Sequence, residues 1–269
     1  MRPAIRRAFG AGALLLVAAC DGGDSGTVGR LTVQLTDASC SDIASAEVWI
    51  SRVYLTGSDA GAQVVVTDED QHFDLLDFAN GVTTTLGSAL VPAADYEQLR
   101  FVVDSARIAL RDGLTFSDGS STRLLVVPSG AQTGIKVEFG GPLHIAPGET
   151  ILVADFDVCR SFVFQGPPDS PTGAHFQPVI HAVVRDIAGS IAGTVSPAAA
   201  KAVIYAIVGT DTLASAAADT LTGAYKIWFL APGTYTVAAS ATGYQAAMQA
   251  GIVVGEAQAV TGVDFTLVP

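Results

Sequence analysis

The sequence predicts an all-β protein built from two antiparallel β-sandwich domains behind a short export segment. Three observations carry that expectation. Gly numbers 28 and Pro 12 while charged residues make up only 15%, a balance that favours short strands and many turns over long solvated helices. Apolar and polar residues alternate in run after run from Arg30 onward, the period of a strand with one face buried. Near Ile187 the texture shifts to an Ala-rich, charge-poor chain, which marks a boundary. At 269 residues and 49% hydrophobic content, the chain has material for two packed cores.

The first element is the export segment. Arg2, Arg6 and Arg7 precede an apolar stretch from Ala8 to Ala19, too short for a bilayer span of roughly 20 residues. A positive start, a short apolar run and small residues before a break predict a secretory signal over 1–19. The run stops at Cys20 and gives way to "DGGDSGTVG", whose composition predicts a flexible tether over 20–29.

The first sandwich is expected over 30–186. "RLTVQLTD" alternates Leu31, Val33 and Leu35 against Thr32, Gln34 and Thr36, and similar strand patterns follow at "AEVWISRVYL", "AQVVVTD", "QLRFVVDSARIAL", "TRLLVV", "GIKVEF", "TILVADFDV" and "PVIHAVV". Turns at "TGSDAG", "RDGL", "SDGSS", "IAPGE" and "QGPPDSPTG" punctuate them. A short helix is the alternative for part of 77–89, and Asp68–Asp70 reads as a hairpin tip. The second sandwich is expected over 187–269, with strands at "SIAGTV", "KAVIYAIVG", "AYKIWFL", "GTYTVAAS", "AGIVV" and "AVTGVDFTLV". Tyr225, Ile227 and Phe229 share one strand face as a core stripe, and Pro232-Gly233 fits a type II turn with positive φ at the glycine.

The segment "VAAC", Val17–Cys20, resembles the lipobox of bacterial lipoproteins. That resemblance implies cleavage before Cys20 and a lipid on its sulfur, with palmitate-type chains attaching the protein to a membrane of the cell envelope, on the periplasmic face or the cell surface. An ordinary secreted protein is the alternative, and "RRAF" partly resembles a twin-arginine signal. With Cys20 lipidated, Cys40 and Cys159 are an even pair in an oxidising setting, which predicts a disulfide; two buried thiols are the alternative.

"LTVQLTDA", "FDLLDF", "LRFVVDSARI", "VPSGAQTGIK" and "LVADFDVCRSFV" occur in the order and spacing of bacterial lipoproteins carrying the domain of unknown function numbered 4382, a resemblance that implies no activity. "TGAYKIWFLAPGTYTVAASATGY" resembles the carboxypeptidase-regulatory-like, transthyretin-like sandwich through Gly223, Tyr225, Leu230, Pro232, Gly233, Tyr235, Gly243 and Tyr244. Such modules are grouped with carbohydrate-binding-like folds, which implies a ligand class and no more.

The formal net charge of -12, with no basic patch, argues against a nucleic-acid partner. The most suggestive polar set is Lys136, Glu138, Asp155 and Asp157. An antiparallel pairing of "GIKVEF" with "ILVADFDV" would bring them together, either as an ion-pair cluster balanced by Lys136 or as a calcium site, with the ion-pair cluster favoured. Asp155 and Asp157, about 7 Å apart at i and i+2 on a strand, also define a lower alternative, a carboxylate hydrolase. His72, His144, His175 and His181 are not spaced as a zinc set, and Ser129 lacks the frame of a nucleophile elbow. Trp228 shares a face with Lys226 and either stacks on a sugar or packs against the first domain. The chain is thus read as a non-catalytic, lipid-anchored envelope protein without cofactor or metal, serving a structural, adhesion or ligand-binding role. Its expected partners are the membrane and polysaccharide or envelope protein; a carbohydrate-binding surface lipoprotein is the alternative.

Overall fold

The structure, a computed structural model, describes residues 27–38, 40, 43–57, 63–111, 113–127, 134–167 and 170–269. Cys20, the segment ahead of it and Ser129 lie outside the described residues. The chain is all-β, with sheets packed face to face around two separate hydrophobic cores.

The first core is enclosed by two sheets. In chain order the strands are β1 (Val28–Ala38), β2 (Ile43–Thr56), β3 (Val64–Thr67), β4 (Gln71–Asp74), β5 (Thr84–Pro92), β6 (Asp95–Leu110), β7 (Thr122–Val126), β8 (Ile135–His144), β9 (Glu149–Asp157), β10 (Phe162–Gln165), β11 (Gly173–Phe176) and β12 (Ile180–Val184). One sheet has the order β12-β9-β1-β5. The other runs β3-β2-β6-β7, with β4 also on β2 and β8 also on β6, and β10-β11 form a separate hairpin. A four-residue helix, α1 (Val158–Ser161), follows β9.

Period-two alternation explains the packing. Leu31, Val33 and Leu35 on β1 are fully buried, as are Ala46, Val48 and Ile50 on β2 and Leu99, Phe101 and Val103 on β6. The 3-10 turn Leu75–Phe78 lies mostly ahead of the 77–89 stretch for which a short helix is the alternative, and most of that stretch is loop and β5; the Asp74 carboxylate caps the turn by accepting from the Leu76 N–H.

The sheets are largely antiparallel, as expected, with one parallel pair, β1 and β9, over Arg30↔Glu149 to Ala38↔Asp157. Two other expectations are corrected in this sandwich. Asp68–Asp70 is exposed but is not a hairpin tip: β3 and β4 pair antiparallel with successive stretches of β2, so the chain bulges out and continues in the same direction. Finally, β8 and β9 do not pair. β8 lies antiparallel to β6, with Lys136 opposite Arg100 and Glu138 opposite Gln98. After β8 the chain crosses between the sheets: Ile145 is fully buried, and the Gly148 carbonyl accepts from the Arg30 N–H at 2.7 Å, which starts the parallel ladder.

The second core lies between two further sheets. Their strands are β13 (Gly189–Ser196), β14 (Val203–Val208), β15 (Asp211–Ala217), β16 (Ala224–Leu230), β17 (Gly233–Ser240), β18 (Ala247–Val254), β19 (Ala259–Val260) and β20 (Phe265–Thr266). One sheet is β16-β13-β19 with β20 also on β13, the other β15-β14-β17-β18. Here too there are parallel pairs, β13 with β19 and with β20.

The core stripe of β16 departs from strict alternation. Tyr225 and Ile227 are buried, but Leu230 rather than Phe229 completes the stripe. Between Ile191↔Ile227 and Gly189↔Leu230 the register slips, so β16 holds one residue more than β13. Phe229 takes up the slip with φ 52, a left-handed conformation costly for a residue with a Cβ. Gly233 is not in a positive-φ conformation, so the expected type II turn is absent. The corner is tied instead by Tyr235, whose hydroxyl donates to the Ala231 carbonyl at 2.7 Å; Tyr96 does the same to Pro92 at 2.9 Å.

Candidate functional site: a polar seam and cleft between the sandwiches

The outer face of the β12-β9-β1-β5 sheet turns away from the first core. Period two puts Ile151, Val153, Asp155 and Asp157 of β9 on it, joined by His181 and Val183 of β12 and by Thr36 of β1, which lie directly opposite Asp155, Val153 and Asp155 respectively. The second sandwich covers part of this face. Val153 is fully buried, Val183 nearly so, and Thr36, Asp157 and Ser215 are at most 4% exposed.

Asp157 is the polar centre of the seam. One carboxylate oxygen accepts from the Arg160 backbone N–H at 3.1 Å, capping α1, and the other accepts from the Ser215 hydroxyl of β15 at 3.0 Å. Burial pushes its pKa above the ordinary value; the bonds from Arg160 and Ser215 and the Arg160 charge oppose that push. Three further ties hold α1: Val158 N–H donates to Asp37 at 3.1 Å, the Arg160 guanidinium donates to the Thr212 carbonyl, and Cys159 is disulfide-bonded to Cys40, with Cα atoms 5.2 Å apart. The helix that follows the family of outward-facing residues on β9 is therefore anchored to both sandwiches.

Asp155 has a different environment. Its Oδ1 is shielded and has no hydrogen-bond partner, and the same holds for Nε2 of His181 beside it. Thr36, the other cross-strand neighbour, donates its hydroxyl to the Phe78 and Val82 carbonyls at 3.0 and 2.8 Å, so its single proton is directed elsewhere. Burial, followed by the Asp157 charge, raises the Asp155 carboxyl to about 7. Burial, followed by the Arg160 charge, lowers His181 to about 4. Near neutrality the imidazole is uncharged and the carboxyl is no longer fully ionised.

Both side chains line a cleft of about 510 Å³ between the sandwiches. Lys136, Arg160 and Asp211 contribute charge to its walls; Phe139, Ile180 and Phe229 contribute apolar surface. Of the four residues expected to cluster, Asp155 and Asp157 share a face and Lys136 reaches the same cleft from β8. The Glu138 side chain lies outside the described residues. The pairing of β8 with β9 that would have assembled the set does not form, because β9 is taken up by β1 and β12.

Trp228 is 37% exposed and makes its contacts within the chain. The Lys226 ammonium sits 3.3 Å from the centre of its ring, and Gly81 of the first sandwich lies so close that a Cβ there would come within 2.8 Å of the indole. Gly81 has φ +83, so a side-chain-free, left-handed residue is what this approach requires. The other histidines serve local pairs or lie exposed: His72 stacks on Trp49 at 4.5 Å and bonds Glu47 at 2.9 Å, and His144 bonds Asp95 at 2.7 Å. Among the described residues, no group of three or more His, Cys, Asp or Glu side chains is placed to hold a metal ion.

His181, Arg160, Ser215 and Phe229 were not singled out from the sequence as members of this site. The available signal was β9 itself, apolar on both faces through Ile151 and Val153 outward and Leu152 and Phe156 inward, the pattern of a strand buried on both sides.

Residues 28–170 match the family described as "Domain of unknown function (DUF4382)". The chain belongs to the DUF4382 family. The DUF4382 match contains Cys40, Asp155, Asp157, Cys159 and Arg160 and ends ten residues before β12, so His181 and the whole covering sandwich lie beyond it. No curated protein matches the chain. Among solved structures, two type II cohesin–X-dockerin interface mutants from Acetivibrio cellulolyticus show 25% and 22% identity at a TM-score of 0.23, each match covering 29% of this chain and 56% of the other. The Bacillus anthracis TIE protein shows 11% identity and a TM-score of 0.24 over 90% of this chain and 34% of its own. The chain thus spans little more than half, or about a third, of these structures, and similarity at that level carries no inference for the DUF4382 chain.

Proposed function

We propose that the protein is a non-catalytic, lipid-anchored component of the bacterial cell envelope that holds two β-sandwiches outside the cytoplasm for a structural, adhesion or ligand-binding role. The observation that carries this reading is the Cys40–Cys159 disulfide. The chain has three cysteines; with two joined, Cys20 alone is left, at the end of an apolar run and before a Gly-rich stretch. A disulfide fits an oxidising compartment, and acyl chains on one cysteine fit a protein that needs no spanning segment, since each buried methylene contributes about 0.8 kcal/mol. On this reading the second sandwich is a transthyretin-like module. The polar seam supports a non-catalytic role, because Asp157 is engaged by Arg160 and Ser215 and holds the two sandwiches together.

Replacing Cys20 by Ser tests the anchor. The protein is expected to move from the membrane to the soluble fraction and to lose its acyl mass by intact-protein mass spectrometry; retention of Cys20→Ser at the membrane overturns the reading.

A further inference from the structure

We infer that the cleft between the two sandwiches is a binding site for a neutral polyhydroxylated ligand, of the chemistry of a sugar ring, with Asp155 and His181 as its paired hydrogen-bonding groups. The inference takes from the proposed function only its ligand-binding role and does not depend on lipidation.

Asp155 and His181 are direct cross-strand neighbours on β9 and β12, and both line the cleft; Asp155 Oδ1 and His181 Nε2 are shielded without a partner, which leaves Asp155 Oδ2 and His181 Nδ1, likewise without a hydrogen bond, as the atoms open to the cleft. A buried polar atom without a partner costs about 1–3 kcal/mol. Asp157, two residues away on the same face, has both oxygens engaged, so the lack of partners at Asp155 is local to the cleft. Phe229, the one residue of β16 with positive φ, lines the same space; strained backbone of this kind gathers at functional sites.

The chemistry of the occupant follows by elimination. The walls carry the bases Lys136 and Arg160 and the acids Asp155 and Asp211. Arg160 is already held by the Thr212 carbonyl and faces Asp157, and Lys136 has a partner of its own, so no uncommitted base selects an anion. Asp211 and the partly protonated Asp155 come from opposite sandwiches and do not form a cation site. One carboxyl and one imidazole fall short of the three or four ligands a bound metal ion requires. A wholly apolar occupant would leave the Asp155 and His181 atoms unpaired. A hydroxyl both donates and accepts, so it satisfies either tautomer of a neutral imidazole and either protonation state of the carboxyl. Phe139, Ile180 and Phe229 provide apolar surface for the C–H faces of a ring. At about 510 Å³ the cleft falls within the range of small-molecule sites, roughly 300–1,000 Å³.

The test uses the full chain purified in detergent and isothermal titration with D-glucose, N-acetylglucosamine, maltose and chitobiose, with sodium acetate and calcium chloride in parallel. Saturable binding of at least one sugar is expected, weakened about tenfold by Asp155→Asn and by His181→Gln, since one hydrogen bond of about 1.4 kcal/mol corresponds to that factor. Asp95→Asn, at an exposed pair outside the cleft, is expected to leave binding unchanged. Tighter binding of disaccharides points to a glycan chain as the source, and equal binding to a free sugar; either supports the inference. Absence of saturable binding by all four sugars overturns it. So does binding indifferent to both cleft substitutions, or preference for acetate or calcium. Both substitutions preserve side-chain size, and far-UV circular dichroism establishes that the variants fold. Failure here leaves the Cys20 anchoring test untouched, and failure of anchoring leaves this one untouched.

Discussion

Asp155→Asn and His181→Phe separate two titrations that oppose each other in the parent protein. The Asp155 carboxyl is raised from 3.8 to about 7 by burial and then by Asp157. The stability tied to it is therefore fully present below 3.8 and is lost as pH rises through 7. His181 is lowered from 6.5 to about 4 by burial and then by Arg160. Its contribution is fully present above 6.5 and is lost as pH falls through 4. Between those limits the folded protein holds one proton on Asp155 and the unfolded chain holds one on His181, so unfolding at this pair moves a proton without net uptake or release. The two slopes cancel. At about 1.4 kcal/mol per pH unit, each leg alone amounts to on the order of 3 kcal/mol. Asp155→Asn is expected to become more stable by that amount from pH 4 to 6.5 relative to the parent, and His181→Phe less stable by a similar amount. Asp157 titrates in the same direction as Asp155, but it is common to parent and variants and drops out of the difference. The assay is urea unfolding at intervals between about pH 4 and pH 8. It is followed by the fluorescence of Trp228 in a Trp49→Phe background, where Trp228 is the single remaining tryptophan of two. Parallel pH profiles for both variants and the parent, or slopes of the same sign in the two variants, would refute the reasoning.

Two further outcomes follow from backbone and cross-link geometry. Gly223→Ala is expected to lose at least about 2 kcal/mol by thermal unfolding, because the residue has φ +75 and an added Cβ would stand 2.2 Å from the Val195 carbonyl oxygen. Gly233→Ala is expected to lose less than about 1 kcal/mol, because φ is ordinary and the closest atom, on the Tyr235 ring, is 3.7 Å away. The double replacement Cys40→Ser, Cys159→Ser opens a loop with a sequence separation of 119. It is expected to cost about 2–5 kcal/mol and, because Cys159 lies within α1, to weaken the Asp157–Ser215 contact, read as greater acrylamide quenching of Trp228.

Local periodicity made the strands legible, because a half-buried strand writes its own alternation: Leu31, Val33 and Leu35 are buried as the pattern requires. Partner choice is not local. β1 and β9 pair in parallel across more than a hundred residues, and nothing within "TILVADFDV" states that its neighbours are β1 and β12 rather than β8, the strand just before it in the chain. The same limit applied to Asp68–Asp70, where an acidic, turn-like tripeptide serves a bulge as readily as a reversal. The slip at Phe229 was illegible for a related reason: in "AYKIWFL" the period fits Phe229 inward, and only the opposite strand, with one residue fewer, moves Leu230 into the core.

The cleft shows where reading one strand at a time reaches its end. Period two placed Asp155 and Asp157 on a common face, but their chemistry depends on what covers it. Asp157 meets a serine from the second sandwich and becomes a structural tie; Asp155, two residues back, meets none and stays unpaired. An acidic pair on an outward face ordinarily implies solvent, but Val153, between Ile151 and Asp155 on that face, is fully buried. An apolar residue on the polar side of an amphipathic strand is the mark of a second covering layer. Where that layer stops short, as beside Asp155 and His181, it leaves hydrogen-bonding groups facing a cleft, which is the arrangement a ligand site requires.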